Sequence, residues 1–220
     1  MAHEALSEAD LERLAQSARD TLSRCRNCAQ TSFAVLQAEF NLEGDAILRA
    51  LTPFPGIALR GETCGAVVGS LMAIGLVFGR DDLDDWHGYI ASLPPARRFT
   101  RRFEELNTST ECEPILEAKL GRRFNLADTG QSLEYVEAGG PQVCGEILAG
   151  AVQIAAELIA KKIGPARPSQ SPLEPAAYQL DGADPASCGL GSSRSILELA
   201  GRLISRPFGR TSRSQKAPSR

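Results

Sequence analysis

Cys64 opens the run Cys64-Gly65-Ala66-Val67-Val68-Gly69, where a helix is expected to begin. The first N–H groups of a helix lack intrahelical partners and its N-terminus carries partial positive charge. A thiol there is favoured as a thiolate, which suits a nucleophile or a metal ligand. Gly61, Gly65 and Gly69 recur every four residues, with Gly75 and Gly79 beyond them. Glycine inside a helix costs about 1 kcal/mol relative to alanine, so a compensating need is expected. That need is close approach at Gly65 and Gly69, either by another helix or by a cofactor held near Gly65, Ala66 and Gly69. Cys28, Cys112 and Cys144 lie far away in sequence, each within an apolar helical pattern. Were the four thiols to converge, they would form a redox or metal site. Were they to scatter, they would be core filler, since free cysteine packs as a small hydrophobe.

Cys25-Arg26-Asn27-Cys28 is a Cys-x-x-Cys, and on one continuous helix its two thiols would share a face. Ala29 and Gln30 follow it, so the covalent haem signature Cys-x-x-Cys-His is absent. No βαβ context surrounds it, as a thioredoxin-like motif would need. His3 and His87 are the only histidines, so a zinc site would have to be all-cysteine and a hydrolase triad is poorly supplied. No glycine-rich loop ending in Lys-Ser or Lys-Thr offers a phosphate cradle. Asp81-Asp82-Leu83-Asp84-Asp85 lacks the ligand spacing of a calcium loop and reads as a solvated, helix-capping turn.

The elements that must position these thiols read as helical. The chain has 220 residues, 43% hydrophobic and 23% charged, with 5% aromatics. That composition is globular and favours helix-on-helix packing. The net charge of −3 gives no general attraction to nucleic acid or anionic membrane. The acidic start Met1-Ala2-His3-Glu4 has neither the basic nor the apolar region of a secretory signal. The expected location is therefore cytoplasmic, where thiols stay reduced.

Ser7 offers an N-cap for one long helix running to Asn41, or for two nearly collinear ones with a break near Ser23–Asn27. Asp45–Leu51 makes a short helix, and Pro53 and Pro55 force an extended loop carrying Gly56 and Gly61. Helices are expected over Thr63–Phe78 and Leu83–Leu93. Pro94-Pro95 should break the chain before a basic helix over Ala96–Leu106. Thr108-Ser109-Thr110 caps a helix holding Cys112 and Pro114, residues 121–140 read as mostly loop, and Gln142–Ile163 as a strong helix. The expected fold is all-α, a bundle of about five to seven helices over residues 1–163. Residues 164–220 read as a Pro/Ser-rich linker and a basic, largely disordered, flexible extension, with a short helix possible over 192–205. That tail could touch a membrane, nucleic acid or an acidic partner, but a solvated tail is the simpler reading.

At Asn27-Cys28-Ala29-Gln30, at Gly61-Glu62-Thr63-Cys64-Gly65-Ala66-Val67-Val68-Gly69, at Glu111-Cys112-Glu113-Pro114 and at Cys144, the chain resembles a known family. It is similar to the redox-active proteins named for their cysteine pattern, C_GCAxxG_C_C, over roughly residues 20 to 162. A related domain occurs in the split-Soret type of cytochrome, where such cysteines are associated with a two-iron, two-sulfur cluster in a dimer. The resemblance implies Cys28, Cys64, Cys112 and Cys144 as ligands of an iron–sulfur cluster, 2Fe-2S by that analogy, with a homodimer and a redox partner of unknown identity. This chain departs from the pattern in lacking the haem motif, in adding Cys25, and in carrying Cys188 in its extension. Three functions follow. One is an electron carrier with a four-cysteine cluster. Another is a thiol–disulfide protein with Cys64 as a low-pKa catalytic nucleophile and Cys28 or Cys25 as its partner. The third is a non-catalytic helical scaffold.

Overall fold

A computed structural model describes residues 5–164 of the chain. The tail, its expected helix over 192–205 and Cys188 lie outside the described residues. The described part is all-α, as the composition and periodicity predict. It has nine helices rather than five to seven: α1 (Glu8–Cys25), α2 (Cys28–Phe40), α3 (Asp45–Ala50), α4 (Gly56–Leu59), α5 (Gly65–Phe78), α6 (Trp86–Asn107), α7 (Cys112–Leu120), α8 (Thr129–Glu137) and α9 (Gly140–Ile163).

The long N-terminal helix is two. Ser7 and Asp10 form a capping box at the start of α1, and Leu14, Ala15, Ala18 and Leu22 form its buried face. Arg26 then turns left-handed, at φ 52°, and ends the helix. Asn27 restarts the chain by accepting the Gln30 N–H at 3.0 Å, which places Cys28 at the first position of α2. Cys25 and Cys28 therefore do not share one helix face, contrary to the continuous-helix reading.

α9 is the central element, packed against α1, α2, α5 and α6. Its buried residues include Ile147, Leu148, Ala151, Val152, Ile154, Ala155, Leu158 and Ile159. They surround the helix, the pattern of an interior element. α9 is long and apolar enough to cross a membrane by length and composition, but its apolar stretch is mostly buried against other helices. Arg19 grips Glu146 with two bonds of 2.9 and 3.0 Å, tying α1 to α9. Arg13 holds the buried Glu39 with two bonds of 2.9 Å, tying α1 to α2.

Two expected breaks differ. Pro94 and Pro95 lie inside the continuous α6. A proline removes one backbone hydrogen bond, but Pro95, Phe99, Phe103 and Asn107 recur every four residues and are all buried. That stripe fixes the helix against α5 and α9, and packing outweighs the lost bonds. Asp85 caps α6 by accepting the Gly88 N–H at 2.8 Å, the role expected of the acidic run. Phe99 and Phe103 are fully buried with ring centroids 6.1 Å apart. Phe99→Ala is expected to cost about 3–5 kcal/mol, seen as a fall in the urea midpoint at unchanged slope. A midpoint shift worth under about 1 kcal/mol would contradict the packing role given to this stripe.

The second difference is α8, within residues 121–140. Asp128 accepts the Gln131 N–H at 2.9 Å, and the Gln131 side chain accepts the Asn125 N–H at 3.0 Å. This local capping makes a helix where a loop was expected.

Candidate functional site

Three of the four motif cysteines stand at helix starts. Cys28 is the first residue of α2, Cys64 is the N-cap of α5, and Cys112 is the first residue of α7. Cys144 lies one turn into α9. At Cys64 the N–H groups of Ala66 and Val67, at the start of α5, act on the sulfur.

A short backbone clip aligns two of them. Thr63 and Glu111 form an isolated antiparallel bridge. The Cys64 N–H donates to Thr110 O, the Cys112 N–H to Glu62 O and the Glu113 N–H to Gly61 O, each at 2.8 Å. Each cysteine directly follows a bridge residue, so the starts of α5 and α7 are locked side by side. Gly61 makes this possible. Its φ is +80°, and a Cβ there would lie 2.8 Å from the Glu113 Cβ.

The segment before the clip is not extended, as the two prolines suggested. Gly56, Ile57, Ala58 and Leu59 all have positive φ, between 47° and 63°. Such a conformation is costly for a β-branched residue. It is held by Ala58 N–H to Pro53 O at 2.7 Å and Leu59 N–H to Pro55 O at 2.8 Å. A Cβ on Gly56 would sit 3.5 Å from the Cys112 sulfur, so this turn forms a wall of the thiol site.

Gly65 and Gly69 serve the close approach of α2. The Cys28 sulfur fills the place a Gly65 Cβ would take, and a Gly69 Cβ would overlap the Ala29 carbonyl oxygen and the Ser32 hydroxyl. Close helix packing requires glycine at both positions.

The four thiols lie within one another's electrostatic reach. Burial pushes the Cys28 thiol well up, and the charges of Cys64, Cys144 and Cys112 add to it. Burial pushes Cys64 up to about 12, with Cys144 adding to it, while the N–H groups of Ala66 and Val67 pull the other way. Burial, then Cys64 and Cys144, raise Cys112. Burial raises Cys144, and a hydrogen bond from Tyr135 offsets part of that. The depressed Cys64 pKa expected from its helix start is thus overturned. The helix end does act on the thiol, but desolvation is the larger effect.

Tyr135 was not visible in the sequence reading because its segment read as loop. Its hydroxyl donates to Cys144 Sγ at 3.0 Å. Burial first, then the charges of Cys144, Cys112 and Cys28, hold its phenol above the usual range. The capping pair Asp128 and Gln131 was the available signal.

Cys64 is buried, Cys28, Cys112 and Cys144 are half-buried, and Cys25 is exposed at the end of α1. Among the described residues, no group of three His, Cys, Asp or Glu side chains is gathered so as to hold a metal ion. A family model described as "Putative redox-active protein (C_GCAxxG_C_C)" matches residues 26–158, which contain all four thiols and the clip between them. The chain belongs to this family. In C_GCAxxG_C_C terms, the pattern records which positions the fold gathers: three helix starts and the first turns of the core helix. Cys25 falls just before the matched region and Cys188 well after it. No curated protein and no solved structure matches the chain.

Proposed function

We propose that this C_GCAxxG_C_C protein is an electron carrier whose cysteines Cys28, Cys64, Cys112 and Cys144 hold an iron–sulfur cluster. The observation that carries this reading is the gathering of four thiols from four helices, three of them at helix starts. Thiolate is the ligand such clusters take, and two-iron clusters take four. When bound, the cluster supplies one-electron transfer. The chain's own contribution is burial and the Ala66 and Val67 N–H groups facing Cys64. A cytoplasmic location, where the four thiols stay reduced, belongs to the same proposal.

The test is analysis of the full chain purified without oxygen. About two iron and two sulfide per chain, with a visible chromophore that dithionite bleaches, are expected. A colourless, iron-free protein that also takes up no iron and sulfide on reconstitution overturns the reading.

A further inference from the structure

A hydrogen bond from α8 reaches the thiol set from outside the cysteine pattern. Residues 121–140 carry no cysteine, yet they fold so that one hydroxyl reaches Cys144. Asp128 caps α8 and fixes its direction. The Tyr135 ring packs edge-on against Phe124, with centroids 5.9 Å apart. It also lies against Gly140, where a Cβ would overlap the ring. The absence of a side chain at the first residue of α9 therefore makes room for the tyrosine, and the ring's two neighbours leave its hydroxyl on the Cys144 sulfur at 3.0 Å. A ring needed only for packing would be served by phenylalanine.

We infer that Tyr135 is a positioning residue of the thiol site, holding the Cys144 sulfur and, through its hydrogen bond, favouring the reduced state of the group the thiols carry. This rests on the iron–sulfur reading. A cluster held by these thiols would supply one-electron transfer, and its reduced state would carry more negative charge on the ligand sulfurs. The hydrogen bond that Tyr135 donates to Cys144 would be stronger in that state and so would raise the potential. The electron comes from an external one-electron donor, the hydroxyl hydrogen stays on the tyrosine oxygen, and no bond is made or broken.

The experiment is a dithionite redox titration of the full chain loaded with iron and sulfide without oxygen. Tyr135→Phe keeps the ring and removes the hydroxyl. At the wild-type midpoint its reduced-to-oxidised ratio is expected to fall about tenfold, a shift of about 59 mV for a one-electron couple. Tyr89→Phe removes a hydroxyl from a ring on α6 that lies against Trp86, and is expected to leave the midpoint within a third of that shift. A Tyr135→Phe midpoint equal to wild type overturns the inference, as does an equal shift from Tyr89→Phe. Should Tyr135→Phe fail to load, 3-fluorotyrosine in a Tyr89→Phe, Tyr178→Phe background decides. It keeps the shape and strengthens the donor, so the midpoint must rise; an unchanged midpoint overturns the inference. A wild-type chain that takes up no iron overturns the iron–sulfur reading itself, an outcome distinct from all of these.

Discussion

Cys64→Ser is expected to lower iron bound per chain at least tenfold after anaerobic reconstitution, while Cys25→Ser leaves it unchanged. The two residues share a chemistry and differ in placement. Cys64 is buried at the start of α5, locked beside Cys112 by the Thr63–Glu111 bridge. Cys25 is exposed on α1, across the left-handed turn at Arg26 from Cys28. A serine hydroxyl at position 64 is smaller than the thiol, harder as a ligand, and far more reluctant to lose its proton in a desolvated site. The same facts separate the electron carrier from a thiol–disulfide protein. Burial holds the Cys64 thiol well above its ordinary range, so its thiolate is disfavoured at neutral pH. A nucleophile in that state attacks slowly. A bound metal deprotonates a coordinating thiol outright, so the same burial does not disable a ligand. Iron content by chemical assay, with the thermal midpoint of each variant to establish folding, measures the difference. Full iron in a folded Cys64→Ser, or equal loss in Cys25→Ser, contradicts the four-ligand assignment. Alkylation of the metal-free chain supplies an independent check. Cys64 should label more slowly than the exposed Cys25, and faster labelling of Cys64 would restore the nucleophile reading.

What the sequence discloses here depends on how local the cause is. Ser7 with Asp10 announces the start of α1 through side chains three residues apart, and the apolar rhythm of residues 142–163 announces α9. The cysteine order is equally plain. The split at Arg26-Asn27 was legible to within a few residues, but its consequence was not. Whether two thiols three apart share a face depends on one backbone torsion, and Arg26 takes φ 52°. Pro94-Pro95 misleads because the cost of a proline is local while the burial of Phe99 and Phe103 is set by α5 and α9. The same competition governs Cys64. Its helix start argues for a low pKa and is visible in the sequence. Its desolvation comes from elements distant in the chain and is not. The left-handed turn over Gly56–Leu59 runs against the preference of Ile57, so no propensity could have proposed it. Tyr135 became meaningful only once α8 placed its hydroxyl on Cys144.

Gly69→Ala is expected to destabilise the fold by about 3 kcal/mol, whereas Gly75→Ala, six residues along the same helix, stabilises it by about 0.5–1 kcal/mol. Alanine is the better helix former by about 1 kcal/mol, so propensity alone makes both changes favourable. Surroundings decide the sign. A Cβ at Gly75 meets nothing within 4 Å. A Cβ at Gly69 overlaps the carbonyl oxygen of Ala29, part of the α2 backbone, which cannot rotate away as a side chain can. The two helices must part, loosening a contact that buries Ala29 and Ser32 on α2 and Ala66, Val67 and Ala73 on α5. Gly65→Ala adds a chemical consequence. Its Cβ would lie 2.9 Å from the Ala29 nitrogen and where the Cys28 sulfur sits. Relief requires moving Cys28 relative to Cys64, so Gly65→Ala should lose iron binding even in chains that remain folded. Urea unfolding at constant slope reads the stabilities, and iron per folded chain reads the second effect. A Gly69→Ala protein as stable as wild type would show that α2 and α5 do not meet as closely as described. A Gly65→Ala protein that folds and keeps its iron would show that the glycine spacing serves packing alone, and that Cys28 can shift without disturbing the ligand set.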